Sequence, residues 1–315
     1  MTLTNGKSFD AEAHELATRF GAEHPELIAK GTEAHVYELA SDRVLKIYSS
    51  PDALPGIEAL YEFYERASTR QVSYAIPRIR EYGQAESVAY SVEDRLVGIP
   101  MADITGFIEK PHMADLYIEA VLDIRRISVS PPYLRRKLLG ADEPSGDWNE
   151  YIRSEITRKS DALRATLPEE VFAKFGPVND LVRYFAVPYS GADLLIHGDF
   201  HPGNVLVTGG NRVAAVVDFG AFTMFGDPLY DIATACGFFS MYEPDQLATR
   251  KRILERLFQK DATLDCIRVH AYLLAAALLT CDLYPDEGIL IYKTGHFDWA
   301  LSVLGDTKMW DGISV

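Results

Sequence analysis

Downstream of residue 100 the chain is patterned for helices almost throughout, and one β-rich segment, LLIHGDFHPGNVLVTGGNRVAAVVDFG (194–220), interrupts them. This island constrains the fold more than any other stretch. Its two apolar runs, Val205–Thr208 and Val213–Val217, are joined by Gly209-Gly210-Asn211-Arg212, whose residues tolerate positive φ, so a hairpin is predicted. Polar residues crowd its base: His197-Gly198-Asp199-Phe200-His201-Pro202-Gly203-Asn204 leads in, and Asp218-Phe219-Gly220 leads out. The ribbon therefore returns Asp218 to the edge that Asp199 and Asn204 occupy. One carboxylate there can align an attacking hydroxyl. An amide oxygen and a second carboxylate can hold Mg²⁺, which prefers hard oxygen ligands and phosphate oxygens.

The flanking patterns divide the chain. Helical spacing is read at about 105–127, 149–165, 178–186, 228–241, 245–258, 263–281 and 289–303, and also at 9–20. Residues 27–50 read as a hairpin, with runs at Ala34–Leu39 and Arg43–Tyr48 turning at Ala40-Ser41-Asp42. A helix follows over 55–68, and two further strands are placed after Pro77 and at Val88–Val92. The expectation is a small lobe of five antiparallel strands and one main helix, then a larger helical lobe. The boundary falls near 95–104 and is set at 97/98, giving 1–97 (helix 9–20, sheet and helix 27–97) and 98–315.

Composition narrows the partners. With 31 basic and 46 acidic residues the net charge is −15, which opposes general nucleic-acid binding and docking on anionic membranes but permits a cationic small molecule. The three cysteines, Cys236, Cys266 and Cys281, lack the spacing of a disulfide framework or a zinc site. The start has no basic end followed by an apolar run, and the longest apolar stretch, Ala271 to Cys281, is about half a bilayer span. A cytoplasmic location is expected.

HGDFHPGN, VVDFG and GDPLYDIA together resemble the aminoglycoside phosphotransferase family, the small-molecule branch of the protein-kinase-like fold. GTEAHVY (31–37) is similar to the family's nucleotide loop, VLKIY (44–48) places a lysine on a strand, and DRLVGIP (94–100) looks like the crossing between lobes. The resemblance covers roughly residues 27–240. It implies an α+β, two-lobed fold binding ATP and Mg²⁺ in the cleft. Asp199 would be the base or hydroxyl-orienting residue, Asn204 and Asp218 the Mg²⁺ ligands, and Lys46 the partner of the α/β phosphates. Glu58 or Glu62, four apart on one helix face, would hold Lys46, with Glu58 preferred. Gly31 and Thr32 would belong to the nucleotide loop, and Asp94, Arg95 and Leu96 would meet adenine mostly through backbone groups. His201 would touch phosphate with a pH-dependent charge.

His197 reads as a structural histidine fixing the catalytic loop. Asp227 is placed as an N-cap, and Asp231 as capping or anchoring the helix that begins near Pro228. The acceptor would be a hydroxylated small molecule. Glu150, Glu155, Asp282, Asp286 and Glu287 would draw a cationic aminocyclitol, and FTMFGDPLYDIA is similar in texture to hygromycin-type members. Kinases of choline, homoserine, methylthioribose or macrolides share the same core motifs. The alternative from another class is a nucleotide-binding sensor or scaffold without turnover. A protein kinase is disfavoured because Asp227-Pro228 enters a helix within ten residues of DFG, leaving no room for a long activation loop.

Overall fold

Alternation along Val44-Leu45-Lys46-Ile47-Tyr48 gives this strand two faces with different duties. The computed structural model describes residues 9–22, 25–30, 34–85, 87–130, 136–139, 146–285 and 288–313. Gly31, Thr32, Asp286 and Glu287 lie outside the described residues. The chain opens with helix α1 (Phe9–Arg19) and strands β1 (Glu26–Lys30), β2 (Ala34–Ala40) and β3 (Arg43–Tyr48). Helix α2 (Leu54–Arg66) and the short β4 (Ala67–Ser68) follow, then β5 (Ile79–Ala85) and β6 (Val88–Asp94). The sheet is antiparallel with order β1-β2-β3-β6-β5. Leu45 and Ile47, with Tyr37, Val88 and Val92, pack under Phe9, Ala13, Leu16 and Ala17 of α1. The other face carries Lys46 opposite Ser91 and Val44 opposite Glu93. There Tyr48 joins Ile57, Leu60 and Phe63 of α2 in the main core.

The chain leaves this sheet at Asp94, and Ile99–Pro100 (β7) already belongs to the second lobe. Helix α3 (Pro111–Ile124), strand β8 (Ser128–Val129), and helices α4 (Trp148–Thr166), α5 (Glu169–Phe172) and α6 (Val178–Tyr184) lead to β9 (Leu194–Ile196). The hairpin expected from sequence is β10 (Val205–Thr208) and β11 (Arg212–Val216), followed by β12 (Met224–Gly226). Four helices complete the lobe: α7 (Leu229–Phe238), α8 (Gln246–Lys260), α9 (Cys266–Thr280) and α10 (Gly295–Leu304).

Two pairings go beyond the expected hairpin. β7 adds to β10 through Val207↔Ile99 and Leu206↔Pro100, and β9 pairs with β12 through Met224↔Ile196. Both involve strands of two or three residues, too short for alternation to register. The helix expected over 289–303 begins only at Gly295, where the Phe297 amide donates to the Thr294 hydroxyl at 3.2 Å as an N-cap bond.

The apolar stretch Ala271–Leu278 is fully buried, so α9 is the central post of the lobe. Its 15 residues span only about 22 Å. Among the described residues no helix is long and apolar enough to cross a membrane. Helix α7 lies close against α9 because Gly237 leaves room: a Cβ there would come 2.6 Å from Leu273 Cδ1. That contact sets the position of α7, and α7 in turn holds the loop 197–204.

Candidate active site

The segment 197–204 is a loop whose backbone is secured from below. Asp231, the third residue of α7, is 1% exposed. It accepts hydrogen bonds from the His197 and Gly198 amides at 2.9 and 3.0 Å. Its role therefore differs from the helix cap or anchor expected from sequence: it anchors the loop 197–204. Burial raises its pKa above the ordinary aspartate value, while the His197 imidazole and the two backbone bonds oppose that rise. The capping role falls to Asp227, whose carboxylate accepts from the Leu229 amide at 3.0 Å. Asp227 also accepts from Tyr272 at 2.8 Å and pairs with Arg268. Thr223 ties the return strand to the same loop, donating to the His197 carbonyl at 3.0 Å. Gly198, at φ +82°, passes so close that a Cβ would lie 1.9 Å from the Phe222 carbonyl oxygen. Only glycine meets both demands.

His197 links the 197–204 loop to the segment that carries Asp218, as its structural assignment anticipated. Its Nδ1 accepts from the Asp199 amide at 3.3 Å, so the proton sits on Nε2, which donates to the Val217 carbonyl at 2.8 Å. A second link runs in parallel. The Val217 amide donates to the Asn204 carbonyl at 2.9 Å, and Asn204 Nδ2 donates to the Asp199 carbonyl at 2.9 Å. His197, Asp199, Asn204 and Val217 thus form a closed set of hydrogen bonds, and Asp218 is held beside it as the next residue after Val217. Phe219 seats the next residue of the chain, with its ring 4.5 Å from His197 and 5.5 Å from Phe63 of α2.

Asp218 is the one non-glycine with positive φ among the described residues, at +68°. Such a conformation costs about 1–3 kcal/mol and persists where the surroundings enforce it. It turns the carboxylate into the cleft, where Lys46 Nζ lies 3.3 Å from Oδ1. Burial acts to lower the Lys46 pKa, but Tyr48, Glu93 and Asp218 together raise it above the ordinary lysine value. Lys46 is therefore a fixed cation at neutral pH. The structure does not bring Glu58 or Glu62 to it. Both are exposed on α2. Glu58 accepts from the Tyr82 hydroxyl at 3.4 Å, and Glu62 pairs with Arg66. The inward positions of the helix go to Ile57, Leu60 and Phe63, and the acids near Lys46 are Asp218 and Glu93. Glu93, which accepts from the Ser91 hydroxyl at 2.6 Å, was not singled out from sequence, although strand alternation places it on the face of Lys46.

His201 accepts from the Gly203 amide at Nδ1, 3.1 Å away, which leaves its proton on Nε2. Burial lowers its pKa, so it is a neutral donor near pH 7. Asp94 is paired with Arg80, and Arg95 with Glu38, so both crossover side chains are already engaged.

Beside Asp199, His201 and Asp218 opens a cleft of about 460 Å³. Its far wall comes from Phe107, Phe222, the segment 238–243, Thr280, Tyr284 and His296. Among the described residues, none of the acids expected there from sequence lines it. Asp282 pairs with Lys159 and Glu155 with Arg158, while Glu150 belongs to a separate surface depression on α4.

A two-lobed α+β fold with a strand lysine facing two aspartates and an asparagine across a cleft defines a kinase-like phosphotransferase. The chain belongs to the phosphotransferase enzyme family, which it matches over residues 24–270, and it is a small-molecule kinase. Its fold is shared with a thermostable mutant of aminoglycoside phosphotransferase APH(4)-Ia in ternary complex with ADP and hygromycin B: 21% identity, 95% of this chain and 96% of that one, TM-score 0.68. It is also shared with APH(3'')-Id from Streptomyces rimosus in complex with ADP and streptomycin: 18% identity, 86% and 98% coverage, TM-score 0.57. A GDP complex of an aminoglycoside 2'-phosphotransferase-IIIa mutant is similar at 15% identity, 96% and 97% coverage, TM-score 0.63. No curated protein sequence matches the chain.

Proposed function

We propose that the protein transfers the γ-phosphate of ATP, with Mg²⁺, to a hydroxyl of a small molecule. The observation that carries this reading is the closed hydrogen-bond set tying Asp199 and Asn204 to Val217, which places the adjacent Asp218 beside them facing Lys46. ADP or AMP-PNP in structures of the same fold supports the choice of nucleotide.

Phosphoryl transfer asks little covalent chemistry of a protein; it asks for alignment and charge neutralisation. Asp199 receives the acceptor hydroxyl, orients it and takes its proton as the new phosphate ester bond forms. Lys46 shifts its charge from Asp218 to the nucleotide phosphates. His201 offers its Nε2 proton to a phosphate oxygen. The donor set suits Mg²⁺: Asn204 spends its Nδ2 on the Asp199 carbonyl and so keeps its amide oxygen, while the Asp218 carboxylate is half exposed. Bound there, Mg²⁺ would neutralise charge on the transferring phosphoryl group. The lobe of residues 1–97 would hold the nucleotide, with Gly31 and Thr32 over the phosphates and the backbone at Asp94 beside adenine. Residues 98–315 would supply the catalytic loop and the acceptor site.

The test is ADP release and product phosphorylation across a panel of hydroxylated compounds, with Asp199→Ala beside wild type. Loss of the orienting carboxylate is expected to cost roughly 10²–10⁴-fold in kcat. An Asp199→Ala protein as active as wild type refutes the assignment. Stabilisation by MgATP without transfer to any acceptor favours the sensor reading instead.

A further inference from the structure

The wall that faces Asp199 across the cleft is built of rings. Phe107, Phe222, Phe238, Met241, Tyr242 and Tyr284 line it. Phe222 is 38%, Tyr242 67% and Tyr284 44% exposed, a local concentration of large apolar side chains that a protein keeps where something covers them. On the same loop as Tyr284, Leu283 and Ile289 are exposed as well.

Three polar side chains of this wall, Thr280, His296 and Tyr242, satisfy one another. Thr280 donates its hydroxyl proton to the Ala276 carbonyl at 2.9 Å, so it accepts from His296 Nε2 at 3.2 Å. His296 Nδ1 then accepts from the Tyr242 hydroxyl at 3.2 Å. The imidazole is neutral, buried and used at both nitrogens, so it shows its ring to Tyr284, 4.8 Å away edge-on. Charge is scarce. Three carboxylates line the cleft among the described residues: Asp199, Asp218 and Glu243. The first two are committed to the hydroxyl and the metal, which leaves Glu243, among these three, to meet a cation.

We infer that the acceptor is an alcohol with an apolar or aromatic body, packed on the Tyr242–Tyr284 wall, with its amine, where it has one, at Glu243. A single amine has both Glu243 and ring faces to receive it. A cleft of about 460 Å³ lies within the range that encloses a drug-sized ligand. This inference rests on the phosphotransferase reading and specifies its acceptor.

The experiment compares transfer from MgATP to three probes: erythromycin as a one-amine apolar-bodied alcohol, a neutral aromatic alcohol such as 2-phenylethanol, and the polycations hygromycin B and streptomycin. At least one apolar probe is expected to be phosphorylated with kcat/KM at least tenfold above both polycations. Tyr242→Ala is expected to raise the KM for that probe about tenfold while the MgATP-induced thermal shift stays as in wild type. Tyr242→Phe, which keeps the ring, restores the wild-type KM. A polycation preferred over both apolar probes, or a KM untouched by Tyr242→Ala, overturns the acceptor class and leaves the phosphotransferase reading standing. If no apolar probe is phosphorylated the inference also falls. The phosphotransferase reading falls with it only if no probe, the polycations included, is phosphorylated.

Discussion

Removing the Asp231 carboxylate should disable catalysis without touching a reacting atom. Asp231 holds the His197 and Gly198 amides at 2.9 and 3.0 Å in a site closed to water. A buried donor left without a partner costs about 1–3 kcal/mol. Asp231→Ala strands both amides and should cost about 2–6 kcal/mol, a sizeable share of the 5–15 kcal/mol that usually holds a protein folded. Asp231→Asn keeps the volume and one acceptor oxygen, strands a single amide and should cost about 1–3 kcal/mol. Both variants free the stretch that fixes the Asp199 backbone through His197, so kcat should fall more than the KM for ATP changes. Urea titration with wild type, Asn and Ala variants measures the stability ladder, and steady-state kinetics measures the split. Equal midpoints for all three proteins, or a KM effect with kcat intact, would refute the claim that Asp231 supports the catalytic loop.

Gly198→Ala should be worse than its size suggests, because the new Cβ would meet the Phe222 carbonyl oxygen at 1.9 Å and φ is +82°. Loss of kcat with only a modest fall in Tm is the expected signature, and full activity would show that the loop can move aside. Lys46→Met should lower kcat/KM for ATP roughly 10–100-fold, the worth of a charge-assisted hydrogen bond. Because the Lys46 pKa is raised, wild-type kcat/KM should show no loss of this charge up to pH 9. His201, His270 and His296 all have pKa values lowered by burial. The unfolded chain therefore takes up protons first, near pH 6.5, and the stability present above that pH is lost as it falls toward the folded values. Tm should drop between pH 7.5 and 5.5, and less steeply in His296→Gln; parallel slopes would remove His296 from the account.

What could be read from the chain and what could not divide by sequence distance. The catalytic ribbon was legible because Asp199, Asn204, the hairpin and Asp218 fall within 194–220, and local turn chemistry brings them to one edge. The sheet and α2 were legible from periodicity. Periodicity also placed Glu58 and Glu62 on one face, but it could not say which way that face points. The rotation of α2 is settled by Ile57, Leu60 and Phe63 packing on the core, with Phe63 against Phe219, more than 150 residues downstream. Asp231 reads as a local anchor by its place early in a helix, whereas its partners lie 33 and 34 residues upstream.

The same distinction explains why the reaction was easier to reach than the acceptor. Counting acidic residues suggested a site for a polycation, yet Glu155 is neutralised by Arg158 one turn away and Asp282 by Lys159 on α4. The first pairing could have been seen from the i,i+3 spacing; the second needed the fold. The wall is assembled from residues near 107, 222, 240, 284 and 296, of which only the one at 222 belongs to a stretch noted in the sequence, FTMFGDPLYDIA. In this architecture phosphoryl transfer is written into one contiguous segment plus a strand lysine. The acceptor is chosen where separate helices and loops converge, so relatives can share the first and diverge in the second. Charge at that convergence, and not the net charge of −15, decides what enters.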